Sequence, residues 1–206
     1  MNGFPVDRVY IHGRTRAPFR NPGLRDCVDE AELISRARQG DRVAGRELYD
    51  RHAPAIYRLA HRMAGDPDLA EEFTQETFIR VFRGLESFRG ESALRTWIHA
   101  IAVSCVLNGM RKVKRLRDRE RSLDAAEDIA ADPVRRLAPD LREQLARAID
   151  ALPHVLRSMV ILHDLEGYNH GEISRMTRLP EGTCKTRLAR ARARLRDSLA
   201  AFAMSE

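Results

Sequence analysis

The sequence predicts an all-α protein: two small helical domains joined by a flexible charged linker. Three observations carry that reading. Apolar residues recur at three- and four-residue spacings through most of the chain, and no stretch alternates for long enough to make a strand. Charged residues make up 32% of the sequence and aromatic ones only 6%, a balance that suits helices with solvated faces. Composition also shifts sharply between residues 113 and 138, where a basic run gives way to an acidic stretch interrupted by Pro133.

Residues 1–28 mix Pro5, Pro18, Pro22, Gly3, Gly13 and Gly23 with scattered Arg and show no apolar period, so they read as a flexible basic extension. Periodicity begins after Asp29. Leu33, Ile34 and Ala37 mark one helix, Gly40 and Asp41 interrupt it, and Leu48, Ile56, Leu59, Ala60 and Met63 mark a second that stops at Gly65. Asp66-Pro67 supplies an N-cap followed by a proline suited to the first turn. Beyond it Leu69, Phe73, Thr77, Phe78, Val81 and Leu85 form one stripe. A polar loop over 86–92 precedes a fourth helix with Leu94, Trp97, Ile98, Ile101, Ala102 and Cys105 on one face and basic residues at its end. These four helices make the first domain, 29–112.

The linker, 113–138, carries Asp124, Glu127, Asp128 and Asp132 and is too charged to bury much surface. The second domain, 139–206, opens with Asp140 and Glu143 in capping positions and a stripe of Leu141, Leu145, Ile149 and Leu152. Pro153 starts another helix through Val155, Met159, Val160 and Leu162. Asn169 and Glu172 repeat the capping spacing before a short helix that a turn at Arg178-Leu179-Pro180 ends. The last helix buries Leu188, Leu195, Leu199 and Phe202.

A formal charge of +6 and a pI near 9.7 fit a polyanionic partner. The charge concentrates in the last helix, where Lys185, Arg187, Arg190, Arg192, Arg194 and Arg196 fall between Thr183 and Arg196 with no acid among them. A merely solvated helix would carry interspersed Glu for i,i+4 pairing. Short helix, turn and long basic helix have the proportions of a helix-turn-helix, whose second helix enters the DNA major groove. No run approaches the length of a membrane span, and the first residues lack a signal peptide's apolar core, so a cytoplasmic protein without direct membrane insertion is expected. Cys27, Cys105 and Cys184 are widely spaced, which argues against a disulfide framework or a cysteine-rich metal site. There is no H-E-x-x-H and no glycine-rich phosphate loop, and His163-Asp164 with Glu166 reads as surface helix. No cofactor, metal or catalytic residue is expected.

The segment LPHVLRSMVILHDLEGYNHGEISRMTRLPEGTCKTRLARARARLRDSL resembles region 4 of the extracytoplasmic-function (ECF, group 4) sigma factors, a branch of the sigma-70 family. DPDLAEEFTQETFIRVFRGLESFRGESALRTWIHAIAVS resembles their region 2. Two motifs in the family's order, with its charged linker between them, are more specific than one helix-turn-helix. The resemblance implies a non-enzymatic sigma factor that binds core RNA polymerase (β′ coiled coil and β subunit), recognises duplex −35 DNA and melts the −10 element as single strands. It also implies an anti-sigma factor that controls the chain, sometimes from the membrane, and a role in stress response. Carried over by position, Asp68, Glu71, Glu72, Gln75, Glu76 and Arg80 face the polymerase. Phe88, Arg89, Gly90, Glu91, Ser92 and Ala93 form the loop pocket for a flipped −10 base, with Arg95, Thr96, Trp97, Ser104 and Asn108 beside it. Thr183, Lys185, Thr186, Arg187, Arg190 and Arg194 meet the −35 element, with Lys185, Arg187 and Arg190 placed together on a basic face.

Trp97 stacks on DNA or packs in the core, and the linker threads the polymerase cleft or merely tethers. The chain departs from the family pattern at Val103, Ser104 and Asn108, which stand for Arg, Asn and Asp. Arg178 replaces a turn Gly, Gly171 replaces Glu, and Cys184 replaces Val as a buried thiol. The rival readings are a stand-alone helix-turn-helix regulator and an interaction protein that reads no promoter.

Overall fold

The computed structural model describes residues 24–123 and 141–203, all of whose regular elements are helices. The described residues fall into two compact units, one made mainly of residues up to Val106 and the other mainly of those after it. Residues 1–23 of the basic extension, the acidic part of the linker and the Asp140 cap lie outside the described residues.

The first unit holds α1 (Leu24–Arg38), α2 (Arg42–Ala64), α3 (Pro67–Gly84), a single 3-10 turn (Leu85–Ser87) and the start of α4 (Leu94–Leu123). α1 begins at Leu24, before Asp29, where periodicity alone placed the boundary. Asp41 caps α2 by accepting from Val43 N at 2.8 Å and Ala44 N at 3.2 Å. Arg36 also bonds that carboxylate, holding Asp41 below its ordinary range. Gly65 closes α2 at φ 73°, donating to His61 O at 2.7 Å. Asp66 caps α3 as its sequence position suggests, accepting from Asp68 N and Leu69 N at 3.0 Å each. Leu48, Ile56, Leu59 and Met63 of α2 are buried with Phe73, Phe78 and Val81 of α3, and Tyr49 lies against Phe78 with ring centroids 4.6 Å apart. α4 adds Leu94, Ile98 and Ala102 to this core.

α4 does not stop at the domain boundary read from composition. It runs on to Leu123 through RKVKRLRDRER, since Arg and Lys are good helix formers that need no burial to stay helical. Residues 114–119 are all exposed, as the charge of that stretch implies.

After α4 the chain forms α5 (Leu141–Asp150), α6 (His154–Val160), α7 (His170–Thr177) and α8 (Glu181–Ala203). α8 packs on α6 and α5 through Cys184, Leu188, Ala191 and Leu195, which recur at helical spacing and are buried. α5 departs from its expected stripe at Leu145, which is 40% exposed, while Ala148 is buried; Leu152, just beyond the helix, is buried as expected. After α6, Ile161–Leu165 are wound as π-helix, with Glu166 N donating to Ile161 O at 2.9 Å. Asn169 and Glu172 form the expected reciprocal box, Asn169 N donating to Glu172 Oε2 at 2.8 Å and Glu172 N to Asn169 Oδ1 at 3.0 Å. Arg178 turns the chain at φ 57°, a left-handed conformation that favours glycine.

His52 and His99, on α2 and α4, are buried within the first unit. Burial first, then Arg51 and Arg95 for His52 and Arg95 and His52 for His99, pushes each imidazole down to about 4. The unfolded chain takes up these protons near pH 6.5, so their neutral burial supports the fold fully above that pH and progressively less as pH falls toward 4. The slope is at most about 1.4 kcal/mol per pH unit for each group. Denaturant melts between pH 7 and 4.5 should show this loss, and His99→Gln should flatten it; an equal slope in the variant contradicts the assignment. Arg178→Gly should raise stability by about 0.5–1 kcal/mol by removing the left-handed penalty, read from the shift in denaturation midpoint.

Candidate nucleic-acid interface

Burial of one stripe of α3 determines what the opposite side presents. With Ala70, Phe73, Thr74, Thr77, Phe78 and Val81 inside, Asp68, Glu72 and Gln75 stand exposed on a single line. The same line continues through Ile79 and Phe82, which are 45% and 40% exposed. Neither was singled out in the sequence, where both pass as members of an apolar run; only the excess of apolar residues over what one stripe holds hints at them. Glu71 is exposed and accepts from Gln75 Nε2 at 3.4 Å. Glu76 and Arg80 lie around the helix from that line, half-buried and bonded to each other at 2.7 Å. The six residues assigned to the polymerase thus form an open acidic line and a self-paired flank.

The loop between the 3-10 turn and α4 is divided in the same way. Arg89, Gly90, Glu91 and Ala93 are exposed and Ser92 is half-buried, but Phe88 is only 8% exposed. Its ring rests against Trp97 with centroids 5.0 Å apart, so Phe88 braces the loop from inside and offers no open stacking face. Gly90 sits at φ 71° with open space where a Cβ would stand, so its glycine answers to backbone conformation rather than crowding. Trp97 is half-buried and also lies over Gly84, where an added Cβ would come within 3.3 Å of Cζ2. One side of the indole is therefore structural. Trp97, Ser104 and Asn108 follow one line along α4, all at least partly open; Thr96 is half-buried to one side, and exposed Arg95 stands about 160° around the helix from Trp97, on the side of His99. Asn108 Oδ1 accepts from Arg111 Nη1 at 3.0 Å.

Arg38 of α1 is the residue at this loop that sequence reasoning missed. It donates from Nε to Leu85 O at 2.9 Å and from Nη2 to Phe88 O. Partners 47 and 50 positions away leave no local signal.

On α8 the buried Cys184, Leu188, Ala191 and Leu195 split the polar surface into two flanks. Thr183, Thr186, Arg187, Arg190 and Arg194 share one. At 100° per residue, Lys185 stands about 140° around the helix from Arg190, and lines up with Arg192 and Arg196 instead. The single basic face expected for Lys185, Arg187 and Arg190 is thus two. Thr186 Oγ1 donates to Gly182 O at 2.8 Å, leaving its lone pairs outward. Arg192 is committed to structure: it bonds Asp164 through Nε at 3.2 Å and through Nη2. Partial burial pushes the Asp164 carboxyl up, yet the bonds from Arg192 and His163 hold it below its ordinary range. Cys184 is fully buried, as a small apolar thiol should be. At Gly171 an added Cβ would come within 3.1 Å of Glu181 Oε1, the far end of a flexible side chain.

Among the described residues no group of three or more His, Cys, Asp or Glu could hold a metal ion, and no helix is long and apolar enough to cross a membrane.

Both halves match established protein families. Residues 48–116 match the sigma-70 region 2 family and residues 142–195 the sigma-70 region 4 family. The chain is 37% identical over 157 residues to the ECF RNA polymerase sigma factor SigE of Mycolicibacterium smegmatis, an alignment covering 75% of this chain and 61% of that protein. It is 32% identical over 173 residues to the ECF RNA polymerase sigma factor SigM of Mycobacterium tuberculosis, covering 84% of this chain and 86% of the relative. Among solved structures it is similar to the sigma factor RpoE of Bartonella quintana in complex with the anti-sigma factor NepR, with 25% identity, a TM-score of 0.56, and coverage of 75% of this chain and 96% of the other. With both regions in the family's order and this identity over most of its length, the chain belongs to the ECF RNA polymerase sigma factors of the sigma-70 family.

Proposed function

We propose that this sigma factor divides its work among three surfaces: the exposed line of α3 docks on core RNA polymerase, the 88–93 loop with the open line of α4 holds single-stranded −10 DNA, and the Arg190 flank of α8 reads duplex −35 DNA. The observation that supports this most is shared by α3 and α8. Each buries an apolar stripe and leaves polar side chains exposed on the rest of its surface. On α3 that side combines carboxylates, which accept from Arg and Lys, with apolar Ile79 and Phe82, the mixture of a protein interface. On α8 it combines guanidiniums and hydroxyls without a carboxylate from Thr183 to Arg196, which suits phosphates and guanine edges.

The functional boundaries follow: 29–112 for polymerase and −10 DNA, 113–138 as the connection and 139–206 for −35 DNA, with the helical part of the connection reaching Leu123. The Bartonella relative is held by an anti-sigma factor, and exposed Ile79 and Phe82 give a similar inhibitor of this chain an apolar anchor that overlaps the polymerase surface. Cytoplasmic placement follows from the work proposed.

Three changes test the division. Glu72→Lys combined with Phe82→Asp should abolish co-purification with core polymerase while leaving the helical circular dichroism spectrum intact; retained association removes α3 as the docking surface. Arg190→Ala should weaken holoenzyme binding by about 1–3 kcal/mol in a manner that depends on the −35 sequence. Lys185→Ala, on the other flank, should weaken all promoters alike and lower the salt slope by about one unit, as a phosphate contact does. Equal, sequence-independent losses in both variants would show that α8 holds DNA without reading it there.

A further inference from the structure

We infer that Arg38 is a positioning residue for the −10 loop: it fixes where the loop leaves α3, and through it α1 sets the geometry in which a base is held. This rests on the reading of the 88–93 loop given above. The problem that Arg38 solves is a general one, since the last carbonyls of a helix have no intrahelical partner. A left-handed glycine usually closes such an end, but the residue after α3, Leu85, is right-handed at φ −63° and ψ −33°, and the chain winds into a 3-10 turn. Ser87 Oγ closes Gly84 O at 2.8 Å, and Phe88 N reaches Leu85 O at 3.3 Å, at the long end of a useful bond. Phe88 O, the first carbonyl of the loop, is bonded by Arg38 Nη2 while Nε of the same guanidinium bonds Leu85 O.

A planar guanidinium donating to two carbonyls three residues apart fixes them relative to each other and to α1. An ammonium is a point donor without that fork. The side-chain contact works from the opposite direction: Phe88 is buried against Trp97, and Trp97 covers Gly84. The start of the loop is therefore held through its backbone by Arg38 and through its ring by Trp97, whereas Arg89, Gly90 and Glu91 remain exposed. A pocket for a flipped base needs this combination of fixed rim and open mouth, because its geometry must be in place before the base arrives. α1 supplies the rigid support. Leu33 is buried, and Arg36 ties the end of the helix to Asp41.

Trp97 is the only tryptophan in the chain, so its emission reports on this corner of the fold. The experiment compares Arg38→Ala, Arg38→Lys and, as a control, Leu33→Val, which loosens α1 without removing a bond to the loop. Each full-length variant is measured for acrylamide quenching of Trp97, for association with core polymerase, and for open-complex formation by permanganate reactivity of −10 thymines. Arg38→Ala should raise quenching and reduce opening roughly tenfold, the effect of losing a charged hydrogen-bond donor, with polymerase association unchanged. Arg38→Lys should fall between Ala and wild type, and Leu33→Val should keep wild-type opening. Should Arg38→Ala fold poorly, Arg38→Lys against Leu33→Val carries the same comparison.

Wild-type quenching and opening in both Arg38 variants overturn the proposal, and so does a Leu33→Val defect equal to theirs, since that reduces Arg38 to general support of α1. Arg89→Ala and Ser92→Ala are run beside them. If these impair opening while the Arg38 variants do not, the clamp alone fails. If they leave opening intact, the −10 reading of the loop fails and takes the clamp with it.

Discussion

Every surface described above depends on one constraint: a helix in this chain is held by the burial of a single apolar stripe, and that stripe sets the rotation of everything else on the helix. Leu48, Ile56, Leu59 and Met63 against Phe73, Phe78 and Val81 fix α3, and Cys184, Leu188, Ala191 and Leu195 fix α8. Once those residues are inside, Gln75 and Arg190 have no choice of direction. The arrangement needs no reactive group, because a sigma factor contributes placement, and bond formation belongs to the polymerase.

A second physical theme is how helix ends are closed away from glycine. In the first unit Arg38 bonds the carbonyls of Leu85 and Phe88; in the second, Arg157, buried and with its pKa lowered by that burial, donates from Nη2 to the carbonyl of Asp150 at the end of α5. Both arginines stabilise a helix terminus through a side chain from another element, so each end is tied to its neighbour as well as closed. The pairing of Arg192 with Asp164 extends the idea to the basic helix itself. One cation of α8, Arg192, is used to hold the helix.

Much of this was legible in the sequence where the signal is local. Asp66, Gly65 and the Asn169–Glu172 box stand within four residues of the groups they cap, and the stripes of α3 and α8 repeat at 3.6 residues. The family resemblance rested on those same stretches. What was not legible acts at a distance or by displacement. Arg38 finds its partners 47 and 50 residues away, the π-helical turn at Ile161–Leu165 has no compositional mark, and Leu145 stands exposed although it falls on the apolar period of α5. Helix boundaries failed where composition misled: α4 continues through a basic run that reads as linker, and α1 starts inside a segment without an apolar period. Of the candidate site, the exposed acids of α3 and the basic residues of α8 were found from sequence, but the inward Phe88 and the two flanks dividing Lys185 from Arg190 needed the structure.

The central claim is that polymerase, single-stranded DNA and duplex DNA each meet a different surface. Site-specific photo-crosslinking tests it most directly, with a crosslinking side chain in place of Gln75, Ser92 or Arg190 in holoenzyme assembled on a promoter. The account predicts that position 75 captures a polymerase subunit with or without DNA. Position 92 should capture −10 DNA only after the duplex opens, and position 190 should capture the −35 duplex already in the closed complex. Capture of DNA by position 75, or capture of −10 DNA by position 92 before opening, would contradict it.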